Sequence, residues 1–180
     1  MKWVGAEAIV EKKGNNVLKT RPKKKWRHKD IDKSLRYSRT KKEITLLESV
    51  KYSPNVLSKD KDSFTMEYIQ GIPLRQSLER IEDVGRAVAS MHDVDVFHGD
   101  LTPNNILLEE NRAVIIDFGL GGKPARIEDK AVDLHILRSS LEALAPHKNL
   151  WEKFIASYDA KQKADIVNQL GVVEKRGRYK

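Results

Sequence analysis

Residues 98–108 read HGDLTPNNILL. Ile106 to Leu108 is a short apolar run of the kind that forms a buried strand. The eight residues before it hold one His, one Asp and two adjacent Asn. Such polar density next to a strand is either a turn or chemistry. The next segment favours chemistry. Ala113 to Ile116 forms a second strand, joined to the first through the polar EENR, and eleven residues separate Asn105 from Asp117-Phe118-Gly119. Asp100, Asn105 and Asp117 thus project from loops at the edges of two short antiparallel strands and can converge at one mouth. Carboxylates and an amide oxygen are hard oxygen donors suited to Mg²⁺, which is commonly held by one or two carboxylates together with substrate phosphates. In that arrangement Asp100 orients or deprotonates an attacking hydroxyl, while Asn105 and Asp117 hold the metal on the phosphates.

Working outward, Ile81, Val84, Val88 and Met91 recur at helical spacing and predict an amphipathic helix over 79–92. Upstream, Ala6 to Glu11 and Val17 to Lys19 flank Gly14-Asn15-Asn16, a reverse-turn sequence, and predict a hairpin. A helix is expected from Asp30, as its cap, to about Val50, on a ragged and mostly basic face. Ser53-Pro54-Asn55 then breaks the chain, and Val56-Leu57 and Phe64 to Ile69 read as strands around KDKD. Downstream, helices are expected over 129–144, 150–158 and 160–170. The fold class is therefore α+β and two-lobed. Residues 1–70 form a small β-rich N-lobe with one long helix, and residues 71–180 a mainly α-helical C-lobe, with a ligand cleft between them.

The composition suits a soluble, highly charged protein: 39% of residues are apolar and 33% charged. No apolar run is long enough to cross a bilayer. The first residues lack the apolar core of a signal peptide, and there is no Cys for a disulfide or thiolate site. A cytoplasmic location is the expectation. The net charge of +8 is uneven. From Lys19 to Lys29 there are seven Lys or Arg in eleven positions, and Lys175, Arg176, Arg178 and Lys180 crowd the last six residues. Such clusters are either solvated surface or a footprint for a polyanion, most plausibly RNA. Trp26 and Tyr179 are candidate base-stacking residues.

HGDLTPNN followed by DFG resembles the protein-kinase signature, in which H-R-D-L-x-x-x-N precedes D-F-G. The resemblance implies further parts. Lys19 in VLK would hold nucleotide phosphates, and Glu43 on the long helix would position that Lys. Met66-Glu67-Tyr68-Ile69 resembles the hinge, where backbone groups of Glu67 and Ile69 would contact adenine. Asp133 in KAVDLHIL matches the helix Asp that braces the catalytic loop. Two departures stand out. Gly5-Ala6-Glu7-Ala8 replaces the glycine-rich loop with a single Gly, and only fifteen residues separate Asp117 from Asp133, leaving no usual activation loop.

Those departures, with VLKTR, RHKDIDKSLRYSRTKKE, IDFGL, KAVDLHILRSSLEA and the terminal RGR, resemble the small atypical kinase of the KEOPS complex, the p53-related protein kinase family, in its archaeal form. The resemblance implies an ATP- and Mg²⁺-dependent Ser/Thr kinase and ATPase that supports threonylcarbamoyl adenosine modification of tRNA. It implies binding to the threonylcarbamoyl transferase subunit through the C-lobe, contact with other KEOPS subunits, and a basic helix region and tail that reach tRNA. Two alternatives stay open: a regulatory subunit for which nucleotide is a conformational ligand, and a small-molecule kinase, since such enzymes also use H-G-D-x-x-x-x-N.

Overall fold

The computed structural model describes residues 1–146 and 148–177. The chain runs β1 (Lys2–Val4), β2 (Ile9–Lys13), β3 (Asn16–Thr20), α1 (Lys29–Ser49), β4 (Val56–Lys59), β5 (Ser63–Glu67) and β6 (Ile72–Pro73). It continues through α2 (Ile81–Asp93), β7 (Ile106–Leu108), β8 (Ala113–Ile115), α3 (Ile127–Leu144), α4 (Leu150–Ser157) and α5 (Lys163–Gly177).

The first five strands form one antiparallel sheet in the order β1-β2-β3-β5-β4. The expected hairpin is β2–β3, turned at Gly14 with φ 61°. Side chains alternate along a strand, so Val17 and Lys19 of β3, and Arg21 just beyond it, are all buried. α1 lies over them. Its buried residues Asp32, Arg36, Thr40, Glu43 and Leu47 recur every three or four positions and form one stripe. The face looked ragged in sequence because its first half is buried by ion pairing rather than by apolar contact. Arg36 bonds Asp32 at 2.8 Å and also pairs with Asp62 across the lobe.

β6, β7 and β8 form a second antiparallel sheet. It packs against α2, whose Ile81, Val84, Ala87, Val88 and Met91 are fully buried or nearly so. The hydrophobic core is continuous. It starts from Ile44, Leu46, Leu47, Val50 and Phe64 and passes through α2 and the second sheet to α3, α4 and α5.

Several element bounds differ from expectation. α1 begins at Lys29, so Asp30 is not its cap; Asp30 and Asp32 occupy the first turn, where carboxylates favour the helix dipole. β1 and β6 are short strands that add to the two sheets. α5 starts at Lys163 and continues to Gly177, because Val173 still packs on the core. Lys175 and Arg176 are therefore helical residues and not part of a free tail, and Arg176 bonds Glu128 at 2.6 Å. Arg178, Tyr179 and Lys180 lie outside the described residues. Among those described, no helix is long and apolar enough to cross a membrane.

Candidate active site

The loop between α2 and β7 is fixed from below by one carboxylate. Asp133 of α3 is fully buried. Its Oδ2 accepts the backbone N–H of His98 at 2.6 Å, and its Oδ1 that of Gly99 at 2.8 Å. Two backbone donors on one carboxylate set the entry of the loop. His98, also buried, is held through both ring nitrogens. Nδ1 accepts the Asp100 N–H at 3.2 Å, which leaves Nε2 to donate to the Ile116 carbonyl at 2.9 Å. That second bond ties the loop to the strand leading into Asp117. Gly99 has φ 77°, and a Cβ there would lie 2.7 Å from the Leu120 carbonyl oxygen. Only glycine fits that conformation and that approach.

Beyond Asp100 the chain turns tightly through Thr102, Pro103 and Asn104. The Asn105 amide nitrogen donates to the Asp100 carbonyl at 2.8 Å and to its Oδ2 at 3.0 Å. With its nitrogen engaged there, the Asn105 amide oxygen meets no donor among the described residues. Ile116 N–H donates to the Asn105 carbonyl at 2.9 Å, bringing the Asp117 loop alongside. Asp117 has φ 63°, an uncommon conformation for a residue with a side chain that costs on the order of 1 kcal/mol or more. That strain turns its carboxylate toward Lys19.

Lys19 Nζ sits 2.5 Å from Glu43 Oε1 and 2.9 Å from Asp117 Oδ1. Partial burial pushes the Asp117 carboxyl up, but the Lys19 charge and hydrogen bond, with the Gly119 N–H, outweigh it and hold its pKa below the ordinary value of 3.8. The second oxygen of Glu43 accepts from Arg21 at 2.7 Å. Glu43, only 2% exposed, thus carries two cations. A cleft of about 560 Å³ opens above this cluster, lined by Val4, Glu7, Lys19, Arg39, Asp117 and Leu120 among others. The Gly5–Ala8 loop forms its roof, tied to α1 where Arg39 meets Glu7 at 2.7 Å.

The expected site residues therefore fall into two linked groups and one outlying pair. Lys19, Glu43 and Asp117 are in direct contact, and Asp100 and Asn105 are bonded to each other. Glu67 and Ile69 lie at and beyond the end of β5. Ile69 is buried, and the Glu67 side chain accepts from Asn55 at 2.8 Å. The short segment after Asp117 does not form a loop platform. It folds back on the residue before His98, where Phe97 and Gly122 exchange backbone bonds of 3.0 Å. Asp117 and Asn105 present a carboxylate and a free amide oxygen, a donor set that fits Mg²⁺ bound also by phosphates.

Three contributors were not foreseen from sequence. Arg21 lies two residues after Lys19, on the same strand face, and that period was its only signal. His92 and Tyr158 extend the support under the loop: His92 Nδ1 meets the Tyr158 hydroxyl at 2.7 Å, and Nε2 approaches Asp133 at 3.4 Å. No local pattern marks a tyrosine at the end of α4 for that role.

Comparison with known proteins agrees with this fold. The Lipopolysaccharide kinase (Kdo/WaaP) family profile matches residues 59–158, which contain both the HGD and DFG segments. The fold is similar to that of the Rio2 kinase–ADP/Mg²⁺–phosphoaspartate complex from Chaetomium thermophilum, with TM-score 0.62, 15% identity and coverage of 100% of this chain and 71% of that one. A probable serine/threonine-protein kinase BUD32 homolog from Archaeoglobus fulgidus is 33% identical, over 98% of this chain and 95% of its own length. A probable bifunctional tRNA threonylcarbamoyladenosine biosynthesis protein from Methanospirillum hungatei is 35% identical over 97% of this chain. The chain spans only 35% of that longer relative. With a full-length match to one homologue and the kinase fold around an intact HGD–Asn–DFG set, the chain belongs to the family of BUD32 kinase homologues.

Proposed function

We propose that the chain is an ATP- and Mg²⁺-dependent Ser/Thr kinase with ATPase activity that supports threonylcarbamoyladenosine modification of tRNA in the cytoplasm. The observation that carries this reading is Lys19 held between Glu43 and Asp117, beside an Asp100 bonded to Asn105.

In this reading Lys19 binds the nucleotide phosphates and Glu43 keeps it aimed. Asp117 and the Asn105 amide oxygen hold Mg²⁺, which when bound neutralises charge on the phosphates. Asp100 is exposed at the mouth. Its Oδ2 is steadied by Asn105, and its carboxylate orients the acceptor hydroxyl or water and accepts its proton. Backbone groups of Glu67 and Ile69 meet the adenine. Among the described residues no peptide-presenting loop stands beside Asp100, so water and hydroxyls brought by a partner are the natural acceptors. Partnership is supported by the bifunctional relatives, in which a homologous third is fused to further chain. The transferase subunit then binds the C-lobe, other KEOPS subunits join it, and tRNA meets the basic residues at the start of α1 and at the end of the chain, including Lys175, Arg176, Arg178 and Lys180.

Replacing Asp117 with Ala removes the carboxylate metal ligand. ATP hydrolysis is expected to fall at least ~100-fold, since metal stabilisation of a transferring phosphoryl group is worth several kcal/mol. Far-ultraviolet circular dichroism should show an unchanged fold. Undiminished hydrolysis by variant protein freed of contaminating ATPases would refute the assignment. Stimulation of the unmodified chain by the transferase subunit and tRNA would separate a coupled ATPase from a free-standing kinase.

A further inference from the structure

The roof of the cleft, Gly5–Ala8, is poorly equipped for phosphates. Its only glycine spends its N–H on the Ala8 carbonyl at 2.9 Å. Glu7 adds a negative charge there and engages Arg39, another basic residue of the cleft, at 2.7 Å. Compensation has to come from the floor, where Lys19 does not stand alone. Arg21, only 6% exposed, lines the same cleft. Its Nη2 donates to Glu43 Oε2 at 2.7 Å. A Cβ at Gly119 would lie 3.1 Å from Asp117 Oδ1 and 3.9 Å from Arg21 Nη2. The guanidinium and the Asp117 carboxylate thus flank one glycine.

Arg21 exceeds what a clamp on α1 requires. One N–H is enough for Glu43 and a lysine could supply it, yet this side chain carries five donors in a fixed plane. Its Nε is buried and meets no acceptor among the described residues. Such a donor costs about 1–3 kcal/mol unless a ligand satisfies it. The charges point the same way. Glu43 can neutralise only one of its two cations, and in this structure Asp117 balances the other. Asp117 is also the carboxylate assigned to the metal. Once it is committed there, a positive charge at the floor is left for phosphate.

We propose that Arg21 is a further catalytic residue, an arginine supplied in cis that binds the transferring γ-phosphoryl group of ATP. In that transfer the acceptor oxygen bonds to the γ-phosphorus while the bond to the β-phosphate oxygen breaks. ADP leaves with the electron pair of the broken bond, and the acceptor proton passes to Asp100. Negative charge is spread over the oxygens of the moving group, and a guanidinium meets two of them at once. Arginines placed this way, from the same chain or from a partner, are a recurring part of phosphoryl transfer. Lys19 then serves the phosphates that stay with ADP, and Glu43 aligns both cations. The proposal rests on the reading of the cleft as a nucleotide site.

The test uses the full chain with Mg²⁺, ATP, ADP and aluminium fluoride, which beside ADP mimics the planar transferring group. Arg21→Lys keeps a cation for Glu43, so a purely structural role survives it. Its kcat for ATP hydrolysis should fall about 1,000-fold, the low end for an arginine on a transferring phosphoryl group. The KM for ATP and the affinity for ADP should stay close to those of the unmodified chain. Aluminium fluoride should tighten ADP about 100-fold or more in the unmodified chain, and Arg21→Lys should lose that gain. If circular dichroism shows Arg21→Lys unfolded, Arg21→Gln carries the same expectations. An undiminished fluoride gain in a variant that binds ADP normally overturns the assignment. So does a loss of ADP affinity equal to the loss of kcat, the mark of a clamp that only holds Lys19 and Glu43. Failure of the unmodified chain to bind ADP defeats the nucleotide reading itself, and the role of Arg21 with it.

Discussion

Asp133 never reaches the cleft, yet the position of Asp100 depends on it. Two backbone N–H groups and the His92 ring converge on its carboxylate, so an amide in its place presents one oxygen where two are needed. Asp133→Asn should leave one buried donor unpaired, at about 1–3 kcal/mol. Because the disturbance enters through the loop that carries Asp100, kcat should fall while the KM for ATP changes little; an equal change in both would contradict this. Asp95 allows a cleaner electrostatic test. It pairs with the buried Lys130 at 2.8 Å in a left-handed backbone, φ 56°, which Asn also tolerates. The Lys130 hydrogen bond and charge hold its carboxyl below the ordinary 3.8. A depressed carboxylate stabilises the fold above its unfolded value and loses that contribution as pH falls through the folded value. Asp95→Asn should therefore lower the melting temperature at pH 7, and the gap should close below about pH 3.8. Asp100, Asn105 and Asp117 were legible because polar groups in that order beside apolar strands have few other uses. Lys19 and Glu43 could be chosen from so many charged residues only through the ordered motif. Arg21, His92 and Tyr158 act through partners 22 to 66 residues apart in sequence, which no local pattern encodes.

At the scale of elements, α2 and α4 approach closely at Gly85. A Cβ at Gly85 would meet the Ser157 hydroxyl at 1.9 Å and the Phe154 carbonyl at 2.8 Å. Gly85→Ala gains helix propensity in α2 yet must force these helices apart, and overpacking of this kind costs about 1–3 kcal/mol. A lower melting temperature is expected, and a stabilised variant would show that α4 can yield. The same contact carries consequences for the site, since Tyr158 follows α4 and bonds His92 of α2. Helix α2 was readable because its apolar stripe is unbroken, whereas α1 buries charged residues, so its face could be understood only with their partners Asp62, Lys19 and Arg21 in place. β1 is wholly exposed and β6 has two residues, one of them Pro. Neither carries the alternation that reveals a strand; pairing with a neighbour makes each one. The end of α5 was missed because its polar sequence hides the anchoring Val173.

Across the whole molecule the two lobes share one core. Ile44, Leu46 and Leu47 of α1 belong to the same buried cluster as α2 and α3, so neither lobe has an apolar interior separable from the other. Unfolding should be a single transition, with near-ultraviolet and far-ultraviolet circular dichroism superimposing against denaturant; separate midpoints would show independent lobes. The shared core also bears on Glu43, whose two oxygens are taken by Lys19 of β3 and by Arg21 just beyond it. A molecular switch needs two arrangements of nearly equal energy. Swinging α1 away would strand a buried carboxylate and leave two buried cations without it, and leaving charges unpaired in a protein interior is strongly unfavourable. These contacts hold the helix in place. Under the proposed function such a site stays cocked, and the timing of turnover belongs to whatever delivers the acceptor and removes the spent nucleotide.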